Sequence, residues 1–595
     1  MNLLGERNKE IYQGISEYKL DAQASESIMA ITRLRVVIVL VKTHLSLGFS
    51  SARRSASASF PACLLAQRAG RVLLPTGSLY YCLSVLISLG FFLTERLLIA
   101  QAPTSVNQPQ FTAIGVKECA ACHSNPSPIH QRLGITSFVR MVEAREWLNH
   151  DRHALAYKYV DPKHNELTRK ICEKLGWSPS GDEFVSQCLT CHAGVDHRAK
   201  RPSESVLQYG VQCESCHGAG SQLTRVEHHQ QVNWRAKTPA QKKALGMNDL
   251  RSPKDSAEIC FSCHIGEIDQ NRFVTHAMYA AGHPPLPPVD FQSLLDAMPP
   301  HWKSLAEKPV PAIDGQPSPQ RFELQDEYFA ANFGDKYKMP VGQMAIRQSY
   351  RRTQASLIGG QVAQQVAIEL LRDAASRENL WGDYALYDCN ACHHELQRPS
   401  QRRQAAGRIP GRPFPMAWWL AELPTEALEN RLPGPRIMAI NDVFNAKPFG
   451  QRMQVLEAMN EFVVESPTSA ERSRIMTGAQ VRQWVQQLIT LRDDDIHDYW
   501  TAKQTGWMVT IACRELLHHK SVSREPIDRL LHELSQELDL PIAKPRNSPS
   551  AQSIFLELEK NNRFDPQRTR EILRQLLPQV EQNLQSERLD AQTIR

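Results

Sequence analysis

Apolar residues recur at helical spacing along much of the chain, and alternating strand-like patterns are almost absent. The stretches Phe138–Tyr157 and Val341–Glu378 each predict a helix, the second kinked or interrupted at Gly359-Gly360. The last third of the chain predicts seven amphipathic helices, over Ala417–Leu423, Gln451–Val464, Gly478–Arg492, Thr505–His519, Arg524–Glu537, Ala551–Glu559 and Pro566–Leu589. The pattern therefore predicts a mainly α protein, with a helical C-terminal region.

The N-terminal 102 residues differ from the rest. Residues 1–71 are rich in Ser, Ala and Arg and predict a non-native or disordered extension, with the true translation start near Val72. Residues 72–94 are uncharged, and Ala100-Gln101-Ala102 offers a small-x-small cleavage site, so that residues 72–102 predict an export signal. A retained membrane anchor over residues 72–94 is the alternative, because a 23-residue uncharged run is long enough to span a bilayer.

Five Cys-x-x-Cys-His motifs dominate the remaining chain. They are Cys119/Cys122/His123, Cys188/Cys191/His192, Cys213/Cys216/His217, Cys260/Cys263/His264 and Cys389/Cys392/His393. With 14 Cys and 21 His in 595 residues, chance would place about 0.01 such matches. In c-type haem attachment the two cysteines bond to the porphyrin and the adjacent histidine becomes an axial iron ligand. A zinc site or a redox Cys-x-x-Cys pair is the alternative, but it leaves the repeated histidine unexplained.

The motifs and the helical pattern together divide the chain. We predict an extension over 1–71, a signal peptide or anchor over 72–102, a loop-rich four-haem cytochrome domain over 103–290, a segment with linker, long helix and fifth motif over 291–415, and a helical domain over 416–595. The linker is predicted from the proline-dense stretch Pro284–Pro319. Cys172 and Cys513, the two cysteines outside the motifs in the exported part, are predicted to be buried free thiols rather than a disulfide.

The net charge of +6 arises mostly at the N-terminus. Residues 1–102 carry 11 Lys and Arg against 6 Asp and Glu, and the remainder carries 58 against 57. Haem propionates would make the exported holoprotein acidic. No basic run interleaved with aromatic residues occurs, so nucleic-acid binding is not expected.

Electron-transfer haems usually have a second strong axial ligand. Fifteen histidines outside the motifs are available in the exported part, and position along the chain favours five of them. These distal candidates are His153, His283, His276, His228 and His229. There are enough histidines to supply a distal ligand to every haem iron. Their number therefore does not reveal whether one haem is open to a substrate.

Several fragments resemble the cytochrome c-554 family of multihaem c-type cytochromes. They are Glu118–His123 with Trp147 and Asp151–Ala154, Gly210–Gly220, and Cys260–His264 with His276 and Ala281–Pro284. The resemblance covers roughly residues 111–290 and implies a mostly helical, loop-rich domain with closely packed haems. It also implies that His153 and His283 occupy positions of distal ligands. The fifth motif and the C-terminal region depart from the four-haem pattern of that family.

The expected function is electron transfer between redox partner proteins through five covalently bound haems in the periplasm. No catalytic residue is predicted, and whether the protein is also an enzyme stays open. Two alternatives remain. One is an oxidoreductase with an open haem that acts on a small nitrogen or sulfur compound, and the other is a docking subunit of a membrane respiratory complex.

Overall fold

The structure is a computed structural model. It describes residues 111–128, 138–198, 200–223, 232–286, 290–303, 312–313, 316–317, 319–337, 349–386, 393, 452–460, 476–492, 496, 499–519, 524–540 and 564–581. Within these residues the chain is helical apart from loops and one short hairpin, which confirms the prediction of a mainly α fold. The segments predicted over 1–71 and 72–102 lie outside the described residues.

The described helices fall into three groups along the chain. The first group is α1 (Val116–His123), α2 (Glu143–His150), α3 (Glu166–Leu175), α4 (Asp182–Gln187), α5 (Leu189–His192), α6 (Glu204–Leu207) and α7 (Cys213–His217). The second is α8 (Pro239–Lys243), α9 (Pro253–His264), α10 (His276–Ala281), α11 (Phe291–Ala297), α12 (Pro319–Phe333) and α13 (Arg351–Ser376). The third is α14 (Arg452–Asn460), α15 (Gly478–Arg492), α16 (Tyr499–His518), α17 (Arg524–Leu538) and α18 (Pro566–Glu581).

Shorter elements complete the chain. Strands β1 (Ala312–Ile313) and β2 (Gln316–Pro317) pair antiparallel, with Ala312 opposite Pro317. Single 3₁₀ turns cover Arg152–Leu155, Val232–Ala236, Ile268–Gln270, Asp335–Tyr337 and Tyr384–Leu386. The stretch Pro284–Pro319, predicted as an extended linker, thus contains α11 and the hairpin.

In each of the four motifs that the structure describes in full, a helix ends at the motif histidine. Helix α1 ends at His123, α5 at His192, α7 at His217 and α9 at His264. The two cysteines and the histidine of each motif are therefore presented within one or two helical turns.

The largest hydrophobic core joins the fourth motif to the C-terminal helices. Helix α13 packs against α9, α11 and α16, and α15 packs against α16 and α18. Ala257 and Phe261 of α9 are buried in the same core as Trp484 of α15 and Leu516 of α16. The helix bearing the fourth motif therefore shares one apolar interior with residues far beyond 290, while the domain boundaries themselves stay predictions.

Helix α13 runs without interruption through Gly359-Gly360, where the sequence predicted a kink or a break. Gly359 faces Phe291 of α11, and a Cβ atom there would lie 2.3 Å from the Phe291 Cβ. Glycine at this position lets two helices approach closely rather than breaking one of them.

The two cysteines outside the motifs, Cys172 and Cys513, are buried and free, as predicted. Among the helices that the structure describes, none combines the length and the apolar character needed to cross a membrane.

Substitution of Gly359 tests this close packing. Ala in a helix interior gains about 1 kcal/mol over Gly, but overpacking against the Phe291 Cβ costs about 1–3 kcal/mol. We expect Gly359→Ala to lower the free energy of unfolding, as measured by denaturant titration of the holoprotein. Gly506→Ala is the control, because its new Cβ would meet the ends of leucine side chains, at 2.5 Å from the Cδ1 of Leu538 and 3.5 Å from the Cδ1 of Leu540, rather than a Cβ atom attached to the backbone. A Gly359→Ala protein as stable as the parent would contradict the packing argument.

Candidate haem-binding sites

Three pairs of imidazole rings from distant parts of the chain face one another at almost the same separation. They are His153 and His264 at 6.4 Å between ring centres, His217 and His301 at 6.4 Å, and His276 and His393 at 6.5 Å. Two metal–nitrogen bonds of about 2 Å on opposite sides of one metal place the ring centres roughly 6 Å apart. The three pairs are therefore spaced as the two axial ligands of an iron, and each contains one motif histidine.

Three of the non-motif histidines are oriented by a hydrogen bond at Nδ1. The acceptors are the Asp151 carboxylate for His153 at 2.9 Å, the Pro284 carbonyl for His283 at 2.7 Å and the Pro299 carbonyl for His301 at 3.2 Å. Donation from Nδ1–H leaves Nε2 with its lone pair available for a metal. Ligating histidines in proteins are commonly held in this way.

Asp151 also decides where the helix before His153 ends. Helix α2 stops at His150 because Asp151 is extended and its carboxylate accepts the backbone N–H of His153 at 2.9 Å, which caps a 3₁₀ turn. The prediction of one continuous helix over Phe138–Tyr157 is therefore wrong. The His150 side chain is 62% exposed and lies 3.9 Å from Glu146.

Three motif histidines are held in the neutral form that binds metal. Burial lowers the pKa of His192, His217 and His264 to about 4, so that these imidazoles are neutral near pH 7. At His153 burial also opposes protonation, but the hydrogen bond to Asp151 and its charge outweigh that effect and raise the pKa.

His283 lies within electrostatic range of the second motif. Its charge contributes to the lowered pKa of His192, after the larger effect of burial. Both rings have a backbone hydrogen bond, His283 to Pro284 and His192 to Ala156. The structure therefore brings the predicted distal candidate near a motif histidine.

Glu214, inside the third motif, ties that motif to the first. Its carboxylate accepts the backbone N–H groups of Ile114 at 2.9 Å, Gly115 at 2.7 Å and Gly220 at 2.6 Å. The Gln212 side chain adds a bond from the Val116 N–H at 3.0 Å. These two side chains thus bind the N–H groups of three consecutive residues, from Ile114 to Val116, where the chain enters α1 and the first motif.

Two glycines of the same stretch permit close backbone contacts. Gly210 has φ +58°, and a Cβ there would lie 2.3 Å from the carbonyl oxygen of His153. The next residue, Val211, donates its N–H to that oxygen at 2.9 Å. Gly218 has φ +87°, and a Cβ there would lie 2.1 Å from the carbonyl oxygen of Gly246. The chain on either side of the third motif is therefore packed too tightly for any side chain.

Thiol contacts show which motifs adjoin. Cys119 hydrogen-bonds to Cys213, which brings the first and third motifs together. Cys191 hydrogen-bonds to Cys263, which brings the second and fourth together. Cys216 of the third motif is also within electrostatic range of Cys263. Together these contacts link the four motifs between residues 119 and 264.

The structure describes some of the predicted haem-binding residues and not others. His153, His276 and His283 each lie near a motif histidine, while His228, His229, Cys389 and Cys392 lie outside the described residues. His123 is hydrogen-bonded through Nδ1 to Glu143 at 3.0 Å.

His301 was not singled out from the sequence, although its ring faces His217. The available signal was its position directly after Pro299-Pro300, which fixes the local backbone.

Comparison with known proteins agrees with the geometry. Residues 118–218 match the family model of cytochrome c554 and c-prime. No curated protein and no solved structure matches the chain.

The matched segment defines the class of protein, a c-type cytochrome with covalently bound haem that takes part in electron transfer. Residues 118–218 thus carry the sequence features of a family of multihaem c-type cytochromes.

Substitution of Glu214 tests the tie between the first and third motifs. Hydrogen bonds to a charged acceptor contribute about 1.5–3 kcal/mol each, so that Glu214→Gln should lower the free energy of unfolding by a few kcal/mol. Hydrogen exchange should accelerate at the amides of Ile114, Gly115 and Gly220. Glu204→Gln is the control, because its side chain is half exposed and forms surface ion pairs. Unchanged exchange at all three amides would contradict the assignment.

Proposed function

We propose that the protein is an exported pentahaem c-type cytochrome that carries electrons between redox partner proteins. The observation that supports this most directly is the repeated spacing of the imidazole pairs. Three pairs, built from unrelated segments, share a separation suited to one iron atom. Because the fifth motif supplies one of them through His393, the proposal extends beyond the segment that matches the family.

Each motif is proposed to hold one haem. The covalent attachment residues are Cys119, Cys122, Cys188, Cys191, Cys213, Cys216, Cys260, Cys263, Cys389 and Cys392, and the proximal ligands are His123, His192, His217, His264 and His393. The proposed distal ligands are His283 for the second motif, His301 for the third, His153 for the fourth and His276 for the fifth. His228 and His229 remain distal candidates.

Bound haem would supply an iron that alternates between Fe(II) and Fe(III) and so accepts and donates single electrons. The contribution of the chain is to keep both imidazoles in place in either state. Asp151, Pro284 and Pro299 fix the orientation of three distal rings through Nδ1. The thiol contacts between motifs favour closely packed cofactors, which suits electron transfer from one site to the next.

Export is proposed from the sequence of residues 72–102 and from the chemistry of covalent haem attachment. The protein would then act in the periplasm, with a membrane anchor only if residues 72–94 are retained. Its partners are proposed to be redox proteins, and no nucleic acid is expected.

The distal assignment of His301 is tested by removing its ring. We expect His301→Ala to leave one iron five-coordinate, so that the electron paramagnetic resonance spectrum of the oxidised holoprotein gains a high-spin signal equivalent to one haem. His150→Ala is the matched control, since that ring is exposed and faces Glu146. A spectrum unchanged by His301→Ala would remove the assignment.

The spectrum of the parent protein separates electron transfer from catalysis. We expect only low-spin iron at the sites with paired histidines, and no spectral change with nitrite, hydroxylamine or nitric oxide. A high-spin signal that these compounds alter would instead indicate an oxidoreductase. Mass spectrometry of the purified protein should show five haems per chain.

A further inference from the structure

We propose that helix α10 joins the fifth haem site directly to the second, with Tyr279 packed against His283. The inference rests on the proposed function, because it takes His276 and His283 as the distal ligands of those two sites. The inference adds the position of the fifth site in the spatial order of the haem sites, which the motifs alone do not reveal.

The two histidines stand at opposite ends of one short helix. His276 is the first residue of α10, and His283 follows its last residue by two positions. At about 1.5 Å per residue the helix from His276 to Ala281 is roughly 8 Å long, and His283 lies just beyond its end. The backbone N–H of His283 donates to the Met278 carbonyl at 2.9 Å, which keeps His283 attached to the final turn.

Tyr279 lies within α10, between the two histidines in sequence. Helix α10 ends at Ala281 and the chain turns at Gly282, where φ is +123°, so that His283 lies just beyond the helix. The Tyr279 ring meets the His283 ring edge-on, with 5.9 Å between centres and 71° between planes. The helix that begins at His276 thus also supplies an aromatic contact to His283.

The helix is fixed in the fold. The Thr275 side chain caps its start, and Met278 and Ala281 are buried. Helix α3 packs against it, and Lys174 of α3 donates to the Ala281 carbonyl at 3.2 Å. The spacing of His276 and His283 is therefore set by a supported element.

Asp383 fixes the other side of the fifth site. Its carboxylate accepts the backbone N–H of His276 at 2.9 Å and that of Ala385 at 2.8 Å. The 3₁₀ turn Tyr384–Leu386 is thereby tied to the start of α10, which makes Asp383 a positioning residue for His276. Tyr384 then packs against His276, with 5.3 Å between ring centres, and remains 56% exposed.

This arrangement gives the five sites an order. Glu214 ties the third motif to the first, and Val211 beside the third motif binds the carbonyl of His153, whose ring faces His264 of the fourth. The contact of Cys191 with Cys263 joins the fourth motif to the second, and α10 adds the fifth beyond the second. One electron passed between neighbouring sites oxidises one iron and reduces the other, with no bond made or broken and Tyr279 unchanged. The fifth site, beside exposed Tyr384 and exposed His393, is an end of this order at the protein surface.

A double-variant cycle on the five-haem holoprotein tests the order. His276→Met and His283→Met each replace a distal imidazole by a thioether, which raises the reduction potential of its own haem. Neighbouring haems influence each other's potential, so that the His276→Met and His283→Met shifts should not be additive in potentiometric titrations. The control pair is His276→Met with His301→Met, for which additive shifts are expected because the third and fifth sites are not neighbours in the proposed order.

The outcomes separate the two proposals. If His276→Met changes neither the spectrum nor the potential of any haem, the axial assignment in the proposed function fails. If it raises one potential but the first pair is as additive as the control pair, only the bridge through α10 fails. If a Met variant loads fewer than five haems, the cycle is repeated with Ala at each position, and the same comparison of additivity applies.

Discussion

The constraint on which the structure depends is that two imidazoles from distant segments must face each other across the width of one metal atom. His153, His301 and His276 reach their motif partners with ring centres 6.4–6.5 Å apart. Such a separation cannot come from spacing within one helix, because residues three or four apart have Cβ atoms only about 5–6 Å apart with their side chains roughly parallel. The fold meets the constraint with short helices that stop at the motif histidine and loops that return a second histidine.

Loops of this kind need fixed anchors, and hydrogen bonds to the polypeptide supply them. Glu214 gathers three backbone N–H groups from two segments, and Gly210 lets the chain approach His153 without a side chain in between. The residues Gly-Val-Gln-Cys-Glu around the third motif are thus explained by packing as well as by haem attachment. The same short stretch orients the first motif through Glu214 and the backbone of His153 through Val211.

The sequence predicted the helices and the motif histidines more easily than the distal histidines that face them. The bounds predicted for Gly478–Arg492 agree with α15, since a continuous amphipathic repeat determines them. The helix over Phe138–Tyr157 failed because the Asp151 side chain competes with the helix for the His153 N–H. His301 was overlooked because its role depends on a fold that brings Pro299-Pro300 to the third motif, and no local pattern encodes that approach.

The C-terminal helices explain how a fifth site can be added to the region of four motifs. Helix α13 packs along α9, which carries the fourth motif, and its end leads into the loop held by Asp383. Its start is fixed by Glu515 of α16, whose buried carboxylate accepts the N–H groups of Arg352 and Thr353 at 2.9 and 2.8 Å. A buried carboxylate with these bonds stabilises the helix start, because it satisfies N–H groups that have no partner within the helix. The C-terminal region therefore supports, through α13, the segment up to Leu386, in which Asp383 binds the N–H of His276.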